Sequence, residues 1–217
     1  MGRFLGAFCA ALVVAGLGAS NAKADFLLGG PANFGSDPAE VTIKVEDIGG
    51  SLKFTITSIP APGTGNIGDL QGFFFDVNDS SLLSGLSVTG SDVTGFDFSG
   101  STRDLGNGVN LNGGINYNFD AGVKIGSSGM GGDDIRSTSF VLSHSSQSLD
   151  LSFVTTPSYF GVRLSSVGPL DGDRGGSSKL KGPGDPFLTT VPEPSSFALL
   201  GLGSIGMARL ARRRRSS

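Results

Sequence analysis

The chain holds one histidine, His144, set between Ser143 and Ser145 at the end of an apolar run. Serine with a histidine base is the pairing used for acyl transfer. Those partners meet in space and need an orienting acid, and adjacency in sequence supplies neither. No nucleophile motif surrounds His144, so no catalytic residue is expected and the chain reads as a non-enzyme. Zinc lacks its preferred ligands, because Cys9 is the sole cysteine. Oxygen donors are plentiful. Asp76-Val77-Asn78-Asp79 alternates oxygen side chains at a strand end, with Asp69 nearby; Asp133-Asp134 and Asp171-Gly172-Asp173 are two further acidic loops. Calcium collects about six to eight oxygens, many from loop carbonyls and water. Asp76, Asn78 and Asp79 are therefore the candidate ligands of a structural calcium, and no other cofactor is expected. The same residue types are ordinary turn formers, so a turn is the competing reading. A pair of carboxylates for glycoside hydrolysis can always be found among so many acids and discriminates nothing. For stacking on sugars the chain offers Tyr117 and Tyr159 and no tryptophan.

The C-terminal 27 residues carry a different kind of chemistry. Val191-Pro192-Glu193-Pro194 is a stiff, extended ribbon, since each proline fixes its own φ and pushes its predecessor away from helix. Such a ribbon suits the groove of a protease or transpeptidase. Residues 195–211 follow, 17 in number, about 26 Å long as a helix against a hydrocarbon core of about 30 Å. Arg209 lies near the end of that stretch, where its guanidinium reaches the interface. Arg212, Arg213, Arg214 and Arg215 then act as a basic stop that stays on the cytoplasmic side.

At the other end, Arg3 precedes an uncharged apolar run, Phe4 to Gly18, and Ala22-Lys23-Ala24 offers small residues at the two positions a signal peptidase reads. Cleavage is expected after Ala24. The mature chain then has no thiol, in a compartment where disulfides could form.

This arrangement resembles the PEP-CTERM sorting signal of bacteria that make exopolysaccharide. The resemblance rests on Val191 to Pro194, the apolar Phe197 to Ala208 and the basic end Arg212 to Arg215. It implies processing at or near Pro-Glu-Pro by an exosortase-like membrane enzyme, with the inner membrane as a transient partner and exopolysaccharide as a further candidate partner.

Between the two signals the patterning is β. Val41, Ile43 and Val45 alternate with polar residues, as do Leu52, Phe54 and Ile56, and Asp47-Ile48-Gly49-Gly50 lies between them: a hairpin. Further runs follow at Leu70 to Val77, Leu82 to Thr89, Val93 to Phe98, Val109 to Phe119, Gly122 to Ile125, Ile135 to Leu142, Leu149 to Val154 and Phe160 to Val167. Ser178 to Lys181 adds a final strand. No stretch of 10–12 residues has a helical period. The expectation is all-β: one antiparallel β-sandwich or jelly-roll-like domain over 25–181, after a signal peptide (1–24) and before a linker (182–190) and the sorting signal (191–217, with a transmembrane segment at 195–211 and a basic tail at 212–217). Phe73-Phe74-Phe75 breaks the alternation, so one of the three should face a second layer or a sheet edge.

From Asp25 to Thr190 acidic residues outnumber basic ones about two to one, which the whole-chain net charge of −3 hides. That balance argues against nucleic acid as a partner. Ile67 to Asp76, Phe160 to Gly168 and Gly176 to Leu180 are similar to a domain type carried by many PEP-CTERM proteins, a resemblance that transfers no catalytic residue. The expectation is an exported protein, anchored transiently in the inner membrane and then surface-displayed or extracellular, with a structural role in matrix, biofilm or envelope. The alternatives are a polysaccharide- or calcium-binding module and, more remotely, a secreted hydrolase.

Overall fold

The structure, a computed structural model, describes residues 22–30, 33–127, 132–154 and 159–183. The sorting motif Val191–Pro194, the apolar 195–211 segment, Arg212–Arg215 and most of the signal peptide lie outside them. The described chain forms ten strands: β1 (Lys23–Leu28), β2 (Glu40–Asp47), β3 (Leu52–Ile59), β4 (Asn66–Phe75), β5 (Leu86–Thr89), β6 (Val93–Asp97), β7 (Ala121–Ile125), β8 (Ser137–His144), β9 (Tyr159–Pro169) and β10 (Gly176–Pro183). They make two antiparallel five-stranded sheets, ordered β1-β2-β3-β8-β5 and β10-β9-β4-β7-β6. The fold is all-β, and the helical content of the described residues is limited to short 3₁₀ turns.

The β2–β3 hairpin forms as its alternation requires, with Val41 opposite Ser58 and Val45 opposite Phe54. Its turn needs left-handed backbone at Gly49 (φ 85°) and Gly50 (φ 92°), which glycine adopts without a Cβ clash. The Asp47 carboxylate accepts from both their N–H groups, at 2.9 and 3.2 Å.

The two sheets meet along a seam of phenylalanines. Phe26, Phe54 and Phe140 come from one sheet and Phe73, Phe75 and Phe160 from the other. The Phe73 ring centroid stands 5.5 Å from Phe54, 5.6 Å from Phe75, 5.9 Å from Phe140 and 5.5 Å from Phe160. Burying each ring is worth about 1.5–3 kcal/mol. With a single cysteine in the chain, no disulfide within the chain adds to this burial.

Phe74 points the other way, as the broken alternation requires. It joins Leu111, Ile115 and Phe119 in a second, smaller cluster beneath the segment between β6 and β7. That segment lies on the outer face of the second sheet. The face is made approachable by glycines: a Cβ at Gly72 would stand 2.6 Å from Val109, one at Gly122 3.0 Å from Leu105, and one at Gly161 2.7 Å from Phe119. Gly122 and Gly161 both pair with Phe74, on either side of it, so they form a shallow trough flanking that ring.

Three expected strands need correction. Val109 to Phe119 is no named strand. It is extended, with isolated bridges at Thr102–Phe119 and Asp104–Asn110, and left-handed residues at Asn107, Gly108 and Gly113 keep it from joining a ladder. Leu149 to Val154 is a 3₁₀ turn over Leu151–Phe153, because Asp150 accepts from Ser152 N–H and curls the backbone. Leu82 to Thr89 divides into a 3₁₀ turn over Ser80–Gly85, capped by Asp79, and β5. An edge strand of each sheet reaches a few residues beyond the span 25–181. β10 continues to Pro183, where a linker is expected from Gly182. β1 begins at Lys23, with Ala24 paired to Val45 and buried.

Candidate functional site

The three expected calcium ligands follow one another at the end of β4, and each is turned to a different task. Asp76 is buried; its Oδ2 accepts from the Tyr117 hydroxyl at 2.7 Å and from the Tyr159 N–H at 3.0 Å. Burial pushes its carboxyl above the ordinary value, against the hydrogen bonds that favour the ionised form. Asn78 is exposed and donates its amide to the Ser152 carbonyl. Asp79 caps its 3₁₀ turn, accepting from Ser81 N–H at 3.0 Å and Ser81 Oγ at 2.6 Å. Among the described residues no group of three or more His, Cys, Asp and Glu side chains is placed to hold a metal ion.

The other acidic loops also separate. Asp133 accepts from Ser127 N–H at 3.0 Å. Asp134 takes both terminal nitrogens of Arg174 at 2.7 Å and also pairs with Arg136 at 2.7 Å. Arg174 in particular holds the Asp134 carboxyl down at about 2. Asp171 and Asp173 are exposed. Because the folded pKa of Asp134 is lowered, the stability it contributes is present above about pH 4 and lost as pH falls through about 2. Its carboxylate is more than a third exposed, so screening holds that contribution to under about 1 kcal/mol. Urea melts should show Asp134→Asn slightly less stable than the parent at pH 6 and equal to it near pH 2; a gap that persists at pH 2 would contradict the ion-pair account.

His144 ends β8 half-buried, and its Nδ1 accepts from the N–H groups of Ser146 and Gln147 at 3.1 and 3.0 Å. Its ring holds the turn that follows the strand. The flanking Ser143 hydroxyl pairs with Ser87 Oγ at 3.0 Å.

The two tyrosines, 42 positions apart, come together with ring centroids 5.4 Å apart. Lys181 of β10 places Nζ 4.0 Å from the Tyr117 centroid and 4.3 Å from that of Tyr159, a shared cation–π contact. The Tyr117 hydroxyl is held above its ordinary pKa, by burial first and by Asp76 second. Asp76, Tyr117, Tyr159 and Lys181 thus clamp the covering segment onto the sheet. Ile67 to Phe75, Phe160 to Gly168 and Gly176 to Leu180 fall on the neighbouring strands β4, β9 and β10.

Sequence reasoning passed over Arg163, Arg174, Lys179 and Asp120. Asp120 accepts from Val77 N–H at 3.0 Å. Alternation marks Arg163 and Lys179 as outward but carries no sign of what they meet across strands, and Arg174 and Asp120 lie in loops that it does not describe.

The residues of the expected signal cleavage lie at the start of β1. Ala22 is exposed and its carbonyl accepts from Asp47 N–H at 2.9 Å. Lys23 pairs with Glu46 at 3.2 Å. A cut after Ala24 would therefore remove two residues of β1. Residues 190–215 match the family model for the PEP-CTERM protein-sorting motif. No curated protein and no solved structure matches the chain. The PEP-CTERM motif implies an exported protein, transiently anchored in a membrane and sorted there by an exosortase, itself a membrane protein. Among the described residues no helix is long and apolar enough to cross a membrane.

Proposed function

We propose that this is an exported structural protein of the cell surface, extracellular matrix or biofilm, delivered by its PEP-CTERM tail, and that it is not itself an enzyme. The matched motif carries the reading. Its physical logic is a division of labour: Val191–Pro194 is the extended recognition ribbon, residues 195–211 lodge in the inner membrane, and Arg212–Arg215 keep the tip from crossing. Exosortase then has the β-sandwich on the exported face and the ribbon within reach. A structural role is supported by what the chemistry-bearing side chains do. Asp76 clamps a covering segment, Asp79 and Asp150 cap turns, and His144 accepts backbone N–H groups.

The test is the intact mass of the protein recovered from the cell surface and medium. The expected species has lost residues 1–24 and everything beyond about Pro194. The same mass reads whether Lys23 and Ala24 stay with β1. A recovered form still carrying Arg212–Arg215 would overturn the processing step and leave a simple anchor. Turnover in an esterase and glycosidase screen, abolished by His144→Ala, would overturn the non-enzymatic reading.

A further inference from the structure

Lys179 of β10 lies directly opposite Arg163 of β9, and like charges facing across an antiparallel pair destabilise it. Both side chains are half-buried, and burial disfavours the charged form of each. A chain this rich in acid has ample means to neutralise such a pair, yet it does not. Among the described residues the ion pairs are Lys23–Glu46, Lys44–Glu46, Arg136–Asp134 and Arg174–Asp134. Arg163 instead gives one hydrogen bond, from Nη1 to the Ser178 carbonyl at 3.2 Å, and Lys179 gives Nζ to the Asn112 carbonyl. Four of the five guanidinium N–H donors of Arg163 have no partner among the described residues.

Beside this pair opens a groove of about 640 Å³ in the covering segment, lined by Arg103, Asn112, Asn116 and Gly113–Ile115. Arg103 Nη1 donates to Asn116 Oδ1 at 3.2 Å. Asp104 also lies on this rim, and its Oδ2 accepts from the Asn112 amide at 3.2 Å. Cations, side-chain amides and a concave floor therefore lie together on one face of a domain in which acids outnumber bases about two to one.

We propose that Arg163, Lys179 and the adjoining Arg103–Asn116 groove bind an acidic polysaccharide through its carboxylate or sulfate groups. The guanidinium and ammonium take the anionic groups, and the Asn112 and Asn116 amides suit sugar hydroxyls. A single flexible chain fits this site better than a charged surface does. It can follow the cationic strip past the rim carboxylate of Asp104, which the Asn112 amide already engages, without being pressed onto the acidic remainder of the domain. A flat anionic membrane would instead press on that acidic remainder.

The test uses the full chain purified in detergent and measures equilibrium binding to polygalacturonate and to dextran sulfate. Neutral dextran, inorganic sulfate and phosphatidylglycerol vesicles are run beside them. At least one acidic polymer should bind, more weakly as salt rises, while neutral dextran does not. Lys179→Gln and Arg163→Gln should each weaken binding about tenfold. Lys179→Gln should also leave the unfolding temperature unchanged or raised, because the facing like charges are gone. Lys53→Gln, on the other sheet, should bind as the parent does. Binding unaltered by both variants, equal loss in Lys53→Gln, failure of both polymers to bind, or binding to vesicles or inorganic sulfate alone would each overturn the proposal. Binding of carboxylated but not sulfated polymer, or the reverse, supports it and names the anion.

Discussion

Phe73→Ala is expected to cost about 3–5 kcal/mol, the usual loss when a buried phenylalanine is truncated. Phe73 is fully buried and touches four other phenylalanine rings, from both sheets. The deletion therefore removes apolar transfer energy and leaves a cavity whose walls belong to two rigid sheets. Those walls cannot collapse without moving the backbone, which places the loss toward the upper end. For a domain of this size the unfolding temperature should fall by roughly 6–20 °C. Phe34→Ala, at a ring 47% exposed, should change stability by less than about 0.5 kcal/mol. Thermal and urea melts of both variants decide the matter. A Phe73→Ala loss below about 1 kcal/mol would mean that the two sheets are not packed through this ring.

The seam was largely legible in the sequence, and the reason it was legible also explains what was missed. Period-2 alternation reports extended backbone with one buried face. It does not report that the backbone has a neighbour to pair with. At Val41–Val45 and Leu52–Ile56 both conditions hold, and β2 and β3 form where the pattern puts them. At Val109 to Phe119 only the first holds. Val109, Leu111, Ile115 and Phe119 are indeed buried, but against the outer face of a finished sheet. Leu149 to Val154 fails differently: Asp150 and Ser152 form a local side-chain-to-backbone bond that competes with extension. Phe73-Phe74-Phe75 divides between two clusters because three consecutive phenylalanines cannot all face one side of a strand. The candidate site was less legible. Residues close in sequence part once β4 ends: Asp76 turns inward to Tyr117, while Asn78 and Asp79 line a shallow pocket with Asp150. Tyr117 and Tyr159, and Arg163 and Lys179, converge only through sheet order, which alternation does not encode.

Asp69→Ala should cost about 2–4 kcal/mol, and the conservative Asp69→Asn much less. Asp69 is 1% exposed in β4, between two register shifts against β9 at Ile67/Asp69 and Leu70/Gly72. Its Oδ1 accepts from Ile135 N–H at 2.9 Å, and its Oδ2 from Gln71 Nε2 at 2.5 Å and Ser165 Oγ at 3.2 Å. Alanine strands these donors, and each buried unsatisfied group costs about 1–3 kcal/mol. Asparagine keeps one acceptor oxygen, and a flip of the Gln71 amide meets its new donor, so the loss should stay under about 1.5 kcal/mol. The pH dependence has the opposite sign to that of Asp134. Burial, with Asp133 adding to it, raises the Asp69 carboxyl above its ordinary value. The folded state then holds this proton more tightly than the unfolded chain does, so this residue's contribution to stability falls as pH rises from about 4 through the raised folded value. Asp69→Asn carries no such slope, so its deficit relative to the parent should shrink between pH 4 and pH 7. If the deficit grows over that interval, the ionised carboxylate is a net stabiliser here, and its hydrogen bonds outweigh the cost of burying the charge. If Ala and Asn variants lose equally at every pH, the acceptor geometry is not what holds the chain before β8 against β4.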